Sequence, residues 1–245
     1  SKRYDFEKTF QTTPGKKLDI DLKSGGEIHI IGNDKNQVVV RARIRGMDRD
    51  KLDFNAEESN GSIRVTSEYV GKSHNHNASS DLDIEVPSRF DVNLRTMGGD
   101  VSINNVEGEI SGTTMGGELN LQALKGNIQL TTMGGEVMLE DSTLDGSVKT
   151  MGGDVVIRNV SGSVKGSTMG GDVRYENATS TGKPKGEVKI NSMGGDLNVS
   201  DAPEGASLET MGGDIHVRSA SKYVEAQTMG GNVELDAVDG WVNAS

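Results

Sequence analysis

The chain has 245 residues, with 26 Lys and Arg against 37 Asp and Glu and a formal net charge of −11. That balance disfavours nucleic acid and anionic lipid as partners, because both need Lys and Arg to neutralise phosphates. The chain has no cysteine, which excludes a disulfide framework, a thiolate nucleophile and a zinc–thiolate site, and no apolar run approaches bilayer-spanning length, so direct membrane insertion of this segment is not expected.

Residues 1–95 read as irregular strands. Tyr4 to Phe10 alternates aromatic and charged residues, and Leu18-Asp19-Ile20-Asp21-Leu22 alternates apolar and acidic ones, as half-buried strands do. Gly25-Gly26-Glu27-Ile28-His29-Ile30 is the later repeat without its Thr-Met, which places the first coil here. Val38 to Ile44, Leu52 to Ala56, Ile63 to Thr66 and Leu82 to Val86 are further strands, and Pro87 ends the last. Residues 72–80 form a polar loop. This part is expected to be an N-terminal β cap that seals one end of a stack, since an uncovered end strand invites edge pairing.

From Thr96 onward the motif Thr-Met-Gly-Gly-acid recurs, with Ser192 replacing Thr once and Asn232 closing the acid series. Its methionines are Met97, Met115, Met133, Met151, Met169, Met193, Met211 and Met229, at spacings of 18, 18, 18, 18, 24, 18 and 18 residues. Such a period marks a repeat architecture, which must be read before any site is sought. Four and six residues after each Met stand apolar pairs such as Val101 and Ile103, Leu119 and Leu121, and Val173 and Tyr175. Five and three residues before it stand others, such as Ile128 and Leu130. A period of two defines two strands per unit. By the same parity the Thr turns inward, and Met is expected to fill the end of the core. Gly108, Gly126, Gly146, Gly162, Gly186 and Gly240 are expected to mark the other corner.

Two strands and two corners in 18 residues describe a coil of a parallel β-solenoid, or β-helix, whose strands pair with their counterparts one coil on. The fold expected is therefore all-β, with regular coils over residues 96–245 continuous with the cap. The rival is an antiparallel meander, which would interrupt the ladders of identical residues. The spacing of 24 implies an insertion looping out over residues 177–185.

The acids three after Met, namely Asp100, Glu118, Glu136, Asp154, Asp172, Asp196 and Asp214, form a column. It could be a cation-binding edge or a series of corner carboxylates accepting hydrogen bonds from the Gly-Gly amides. The second reading is preferred. The calcium-binding Gly-Gly-x-Gly-x-Asp nonapeptide is absent, so no metal or other cofactor is expected and calcium is not indicated. Carboxylates about 5 Å apart also suit a retaining glycosidase, but no sequence feature supplies the walled groove and apolar setting that chemistry needs. His74-Asn75-His76 lacks a third ligand, and His29 and His216 point outward. Tyr223 and Trp241, each 12 after a Met, form an outward aromatic pair that either stacks on a sugar ring or partner side chain or shields the last coil; shielding is preferred.

The Gly-Gly-Asp-Val-x-Ile units, the opening Phe6-Glu7-Lys8-Thr9-Phe10 with Leu18-x-Ile20 and Gly26-Glu27-Ile28-His29-Ile30, and Leu82-Asp83-Ile84-Glu85-Val86-Pro87 resemble bacterial adhesin-type domains of unknown function, similar to the head domains of some autotransporter adhesins. The resemblance spans nearly the whole chain and implies a β-helical, non-catalytic, envelope-associated domain, with no catalytic residues to carry over. The expected function is an extracytoplasmic binding module, in the periplasm or at the cell surface, that presents the acid column, Tyr223 and Trp241 to a protein or glycan partner. This placement assumes that a signal or anchor was removed upstream. The alternatives are a structural or assembly role in the envelope and a polysaccharide-active enzyme.

Overall fold

A computed structural model of the chain describes residues 3–71, 75–176 and 186–245. His74 and the inserted loop expected over residues 177–185 lie outside the described residues. The N-terminal part contains β1 (Phe6–Gln11), β2 (Lys17–Leu22), β3 (Ile28–Asn33), β4 (Gln37–Arg45), β5 (Leu52–Ser59), β6 (Ser62–Tyr69) and β7 (Ser79–Pro87). The regular part begins with β8 (Asp91–Thr96), β9 (Val101–Asn104), β10 (Glu107–Thr114), β11 (Leu119–Gln122), β12 (Lys125–Thr132), β13 (Val137–Thr150) and β14 (Val155–Ser161). It continues through β15 (Val164–Thr168), β16 (Val173–Glu176), β17 (Val188–Ser192), β18 (Leu197–Val199), β19 (Ala206–Thr210), β20 (Ile215–Thr228) and β21 (Val233–Ala244).

From β8 onward the paired strands run parallel, and each residue meets its equivalent one repeat away: Ile110 opposes Ile128, Leu119 opposes Val137, and Val137 opposes Val155. Across the longer spacing, Val173 opposes Leu197, so the added residues leave the register intact. Parallel pairing at the repeat length makes the fold a β-solenoid and excludes the meander. Inside it run ladders of like side chains, such as Val101, Leu119, Val137, Val155, Val173 and Leu197, all at most 1% exposed. A further inward column went unnoticed in the sequence: Val106, Leu124, Val160, Ala202 and Ala220, at most 3% exposed, sit nine residues after a Met and fill the core behind the second corner. The periodic apolar residue at that offset was the available signal.

The second corner differs from the expectation. In the first four repeats it is made by the residue eight after Met in a left-handed conformation, with φ of 60° at Asn105, 54° at Ala123, 51° at Asp141 and 53° at Asn159. Gly108 and Gly126 lie inside β10 and β12, just beyond it. Gly146 is not a corner residue at all, because it stands opposite Ile128 and Val164 within a strand. Asn and Asp tolerate this backbone region better than most side chains, which accounts for three of the four, while Ala123 adopts it without that advantage.

The N-terminal strands stack out of sequence order. β2 pairs in parallel with both β6 and β8, and β3 with both β7 and β9. The coil made by β2 and β3, first in the chain, is therefore second in the stack, held between the β6–β7 pair and the regular repeats. Beyond it the pairing turns antiparallel, with β4 against β7, β1 against β4 and β5 against β6. Phe6 and Phe54 meet edge to face at 5.0 Å across this layer.

The corner before each Gly-Gly pair is fastened by a buried hydroxyl. Thr96, Thr114, Thr132, Thr150, Thr168, Ser192 and Thr210 are at most 4% exposed. Thr150 Oγ1 donates to the Gly135 carbonyl one coil below at 2.7 Å and accepts from Gly153 N–H at 3.3 Å. Thr168 does the same with Gly153 and Gly171, and Ser192 with Gly171 and Gly195. The hydroxyl, which Ser retains, is the constant; the methyl is not. The second glycine allows the stacked backbones to approach, since a Cβ at Gly153 would lie 2.4 Å from the Gly135 oxygen.

Because Thr turns in, its neighbour Met turns out. Met97, Met115, Met133, Met169, Met193, Met211 and Met229 are 38–76% exposed, so the expectation that they fill the core is wrong. Strand alternation decides the matter, since a residue next to an inward one faces the other way.

Two predictions follow from this packing. Replacing the Thr150 hydroxyl with a methyl (Thr150→Val) strands a buried carbonyl and N–H and should cost about 1–3 kcal/mol, whereas Thr150→Ser should cost clearly less; chemical denaturation of the three proteins measures it. Tyr175, 1% exposed in the Ile157–Val199 ladder, has a hydroxyl with no hydrogen-bond partner among the described residues. Desolvation pushes its pKa up to about 12 from 10.0. Folding thus favours the neutral phenol, a contribution complete below pH 10 and lost as pH rises towards 12. Tyr175→Phe should match or exceed the parent in Tm at neutral pH, and its advantage should widen above pH 10 in a pH series of melts.

Candidate functional site

The outer surface of the Met-Gly-Gly-acid corner carries most of the residues singled out in the sequence. Asp100, Glu118, Asp154, Asp172, Asp196 and Asp214 are exposed and Glu136 half-buried, one per coil in a single column. Their carboxylates do not bond the Gly-Gly amides as expected. Each of several Asp residues instead accepts the backbone N–H of the acid one coil on. Glu118 N donates to Asp100 Oδ1 at 2.9 Å, Asp172 N to Asp154 Oδ1 at 2.8 Å, and Asp196 N to Asp172 Oδ1 at 2.7 Å. Asp214 N and Asn232 N complete the run with Asp196 and Asp214. The short Asp side chain lies along the stack and reaches the next amide. One oxygen of each of these Asp carboxylates is thereby committed to holding coils together, while the charge and the second oxygen remain at the surface.

The comparison between repulsion and bonding favours this arrangement. Two unit charges about 4.8 Å apart in water repel by about 1 kcal/mol, while a hydrogen bond to a charged acceptor contributes about 1.5–3 kcal/mol, both reduced by exposure. A depression of about 550 Å³ lined by Arg89, Asp91, Glu107 and Glu109 lies beside the second corner, and another of about 310 Å³ follows Asn105, Ala123, Asp141 and Asn159. None of the seven column acids lines either one.

Tyr223 and Trp241 do meet, stacked with ring centroids 5.1 Å apart and planes 22° from parallel. Tyr223 is covered on its other face by the Gly205 backbone, where a Cβ would lie 2.1 Å from the ring. The three residues occupy one column in successive coils, so glycine makes room for the first ring and the first ring seats the second. Tyr223 is accordingly packing, and only Trp241, 54% exposed, offers a free face.

Among the described residues, one group could share a metal ion: His216, Glu234 and Asp236, whose ligand atoms lie within 4.8 Å of one another. His216 Nε2 lies 2.9 Å from Asp236 Oδ2, so the group is already an ion pair when the imidazole is protonated. His76 stacks on Tyr69 at 4.1 Å rather than facing a ligand set. No described helix is long and apolar enough to cross a membrane.

Comparison with protein families matches residues 7–240 to the family described as Toastrack DUF4097. The comparison with curated proteins finds no match. Three crystal structures are similar. A candidate cell-adhesion protein from Clostridium sporogenes is 13% identical, with 98% of this chain and 99% of that one covered and a TM-score of 0.25. A candidate adhesin from Bacteroides fragilis is 13% identical, with 100% and 98% covered and a TM-score of 0.34. A candidate lipid-binding protein from Parabacteroides distasonis is 11% identical, with 98% and 96% covered and a TM-score of 0.35.

The role of the column acids as coil fasteners is tested by two substitutions at one position. Asp172→Asn keeps an oxygen acceptor and removes one charge, and should melt at or above the parent temperature. Asp172→Ala loses the acceptor and should melt lower by roughly 2–4 °C, the shift about 1 kcal/mol produces in a chain of this size; differential scanning calorimetry of both reads the outcome.

Proposed function

We propose, from the premise that the chain belongs to the Toastrack DUF4097 family, that it is a non-catalytic binding module of the bacterial cell envelope. Its regular outer surface meets a protein or glycan partner. The observation that carries this reading is the repeated presentation of the same Met and acid groups along one corner, coil after coil, outside the depressions found among the described residues. An extended partner meets such a surface many times over, and weak contacts made in parallel gain strength from effective concentration.

Catalysis of glycoside cleavage asks for the opposite arrangement: two carboxylates in contrasting environments and a groove that excludes water. The column acids are near-equivalent, exposed but for the half-buried Glu136, and partly committed to backbone amides. The extracytoplasmic placement rests on the sequence resemblance to adhesin-type domains. No cofactor is assigned, and a calcium requirement is tested separately: millimolar calcium or a chelator is expected to leave Tm unchanged, and a rise with calcium would assign an ion to the surface.

The reading is tested by incubating the labelled chain with intact bacterial cells and a panel of envelope glycans, while the same panel is assayed for products. Saturable retention without turnover is the expected result. Release of reducing ends from any polysaccharide would replace the binding module by an enzyme.

A further inference from the structure

Resting on the reading of this chain as a binding module, we propose that the Met-Gly-Gly-acid corner is a docking strip for a basic, amphipathic polypeptide segment in extended form. The strip has three parallel parts. On one side stand the exposed methionines, 38–53% exposed at Met97, Met115, Met133, Met169, Met193 and Met211. On the other side stand the column acids from Asp100 to Asp214, three residues further along the chain. Between them lies glycine backbone alone.

In the first three repeats the first glycine of the pair is the part that packing leaves unexplained. The second glycine is required, since a Cβ at Gly117 would lie 2.1 Å from the Gly99 oxygen. At Gly98 and Gly116 an added Cβ would meet nothing within 4 Å, and at Gly134 its nearest neighbour would be 3.9 Å away. None of these three has a φ in the left-handed range. The solenoid would accept Ala at these three, and glycine recurs in all eight copies, although further along, at Gly152 and Gly170, a Cβ would lie 3.3 Å from the backbone oxygen one coil below. A bare backbone floor is what close approach by another chain needs.

The two walls specify that chain. Methionine is flexible and polarisable, suited to apolar side chains of varied shape. The carboxylates demand cations, and Asp100, Asp154, Asp172, Asp196 and Asp214 each engage an amide through one oxygen only. Three residues reach at most about 10 Å, which bounds the strip's width. An α-helix with side chains is about 10–12 Å across and overfills it, whereas an extended strand fits. Six steps of about 4.8 Å give the strip a length of roughly 29 Å, about nine residues of extended chain. The acid column repels anionic lipid, so a membrane surface is not the occupant.

The test uses fluorescence anisotropy with the whole chain and a labelled (Lys-Leu-Lys-Gly)3 peptide. (Glu-Leu-Glu-Gly)3 and (Lys-Ser-Lys-Gly)3 serve as charge-reversed and apolar-deleted controls. The Lys-Leu peptide is expected to bind at least tenfold more tightly than either control. Three variants should each weaken it about tenfold or more: one carrying Met97→Gln, Met115→Gln and Met133→Gln, one carrying Glu118→Gln, Glu136→Gln and Asp154→Asn, and one carrying Gly116→Ala and Gly134→Ala. The glycine variant should do so with an unchanged Tm, which separates docking from folding, and Trp241→Ala should leave affinity unchanged. Equal binding of the Lys-Ser peptide, or full affinity in the corner variants, overturns the strip. The same variants are then applied to intact cells and envelope glycans: retention that survives them sinks the strip while leaving the binding module standing, and parent protein that retains neither cells nor peptide sinks both.

Discussion

The buried hydroxyl at each corner is the contact on which the solenoid depends. From Thr150 onward it donates to the glycine carbonyl one coil below and accepts from a glycine N–H of its own coil, as Thr168 does with Gly153 and Gly171, whereas Thr114 donates to and accepts from Gly116 of its own coil. One side chain therefore satisfies two backbone groups in the interior of a tight bend, where an unsatisfied group would be costly. Ser192 shows which part of the residue matters, because it keeps the bonds to Gly171 and Gly195 without the threonine methyl. Every outward feature of the corner follows from this inward one: strand parity turns Met away from the core, and the pair of glycines carries the chain round to the acid.

The acid column shows how a repeat accommodates like charges in register. Stacking identical carboxylates is unfavourable, yet the same stacking places each next amide within reach of an Asp oxygen, as between Asp196 and Asp214. Glu118 and Glu136, one methylene longer, make no such bond among the described residues, and there the column contributes charge alone. The surface left over combines soft apolar side chains, bare backbone and negative charge in continuous lines. A globular protein assembles such lines from scattered residues; a solenoid repeats one short motif.

Position in the stack does not follow position in the chain at the N-terminal end. The coil carrying Gly25 and Gly26 lies inside the stack, with Gly26 N bonded to the Gly98 carbonyl, and the later strands β6 and β7 cover it. Beyond them the antiparallel strands β1, β4 and β5 replace the parallel pattern. Local alternation identified each of these strands but not its neighbour, because a strand's own apolar face is the same whichever edge it pairs with.

The sequence by itself determined the parallel solenoid, the inward threonines and the continuation of register past the longer repeat, because period and parity are local properties that fix which residues stack. It also held the outward direction of the methionines, since Thr and Met are adjacent, although the hydrophobicity of Met argued the other way. Only the tertiary structure decided the left-handed corners at Asn105 and its equivalents, the bond from each Asp to the next coil's amide, and the seating of Tyr223 between Gly205 and Trp241. Those depend on the offset and distance between successive coils, and an 18-residue spacing tells which residues are equivalent without telling which atoms touch.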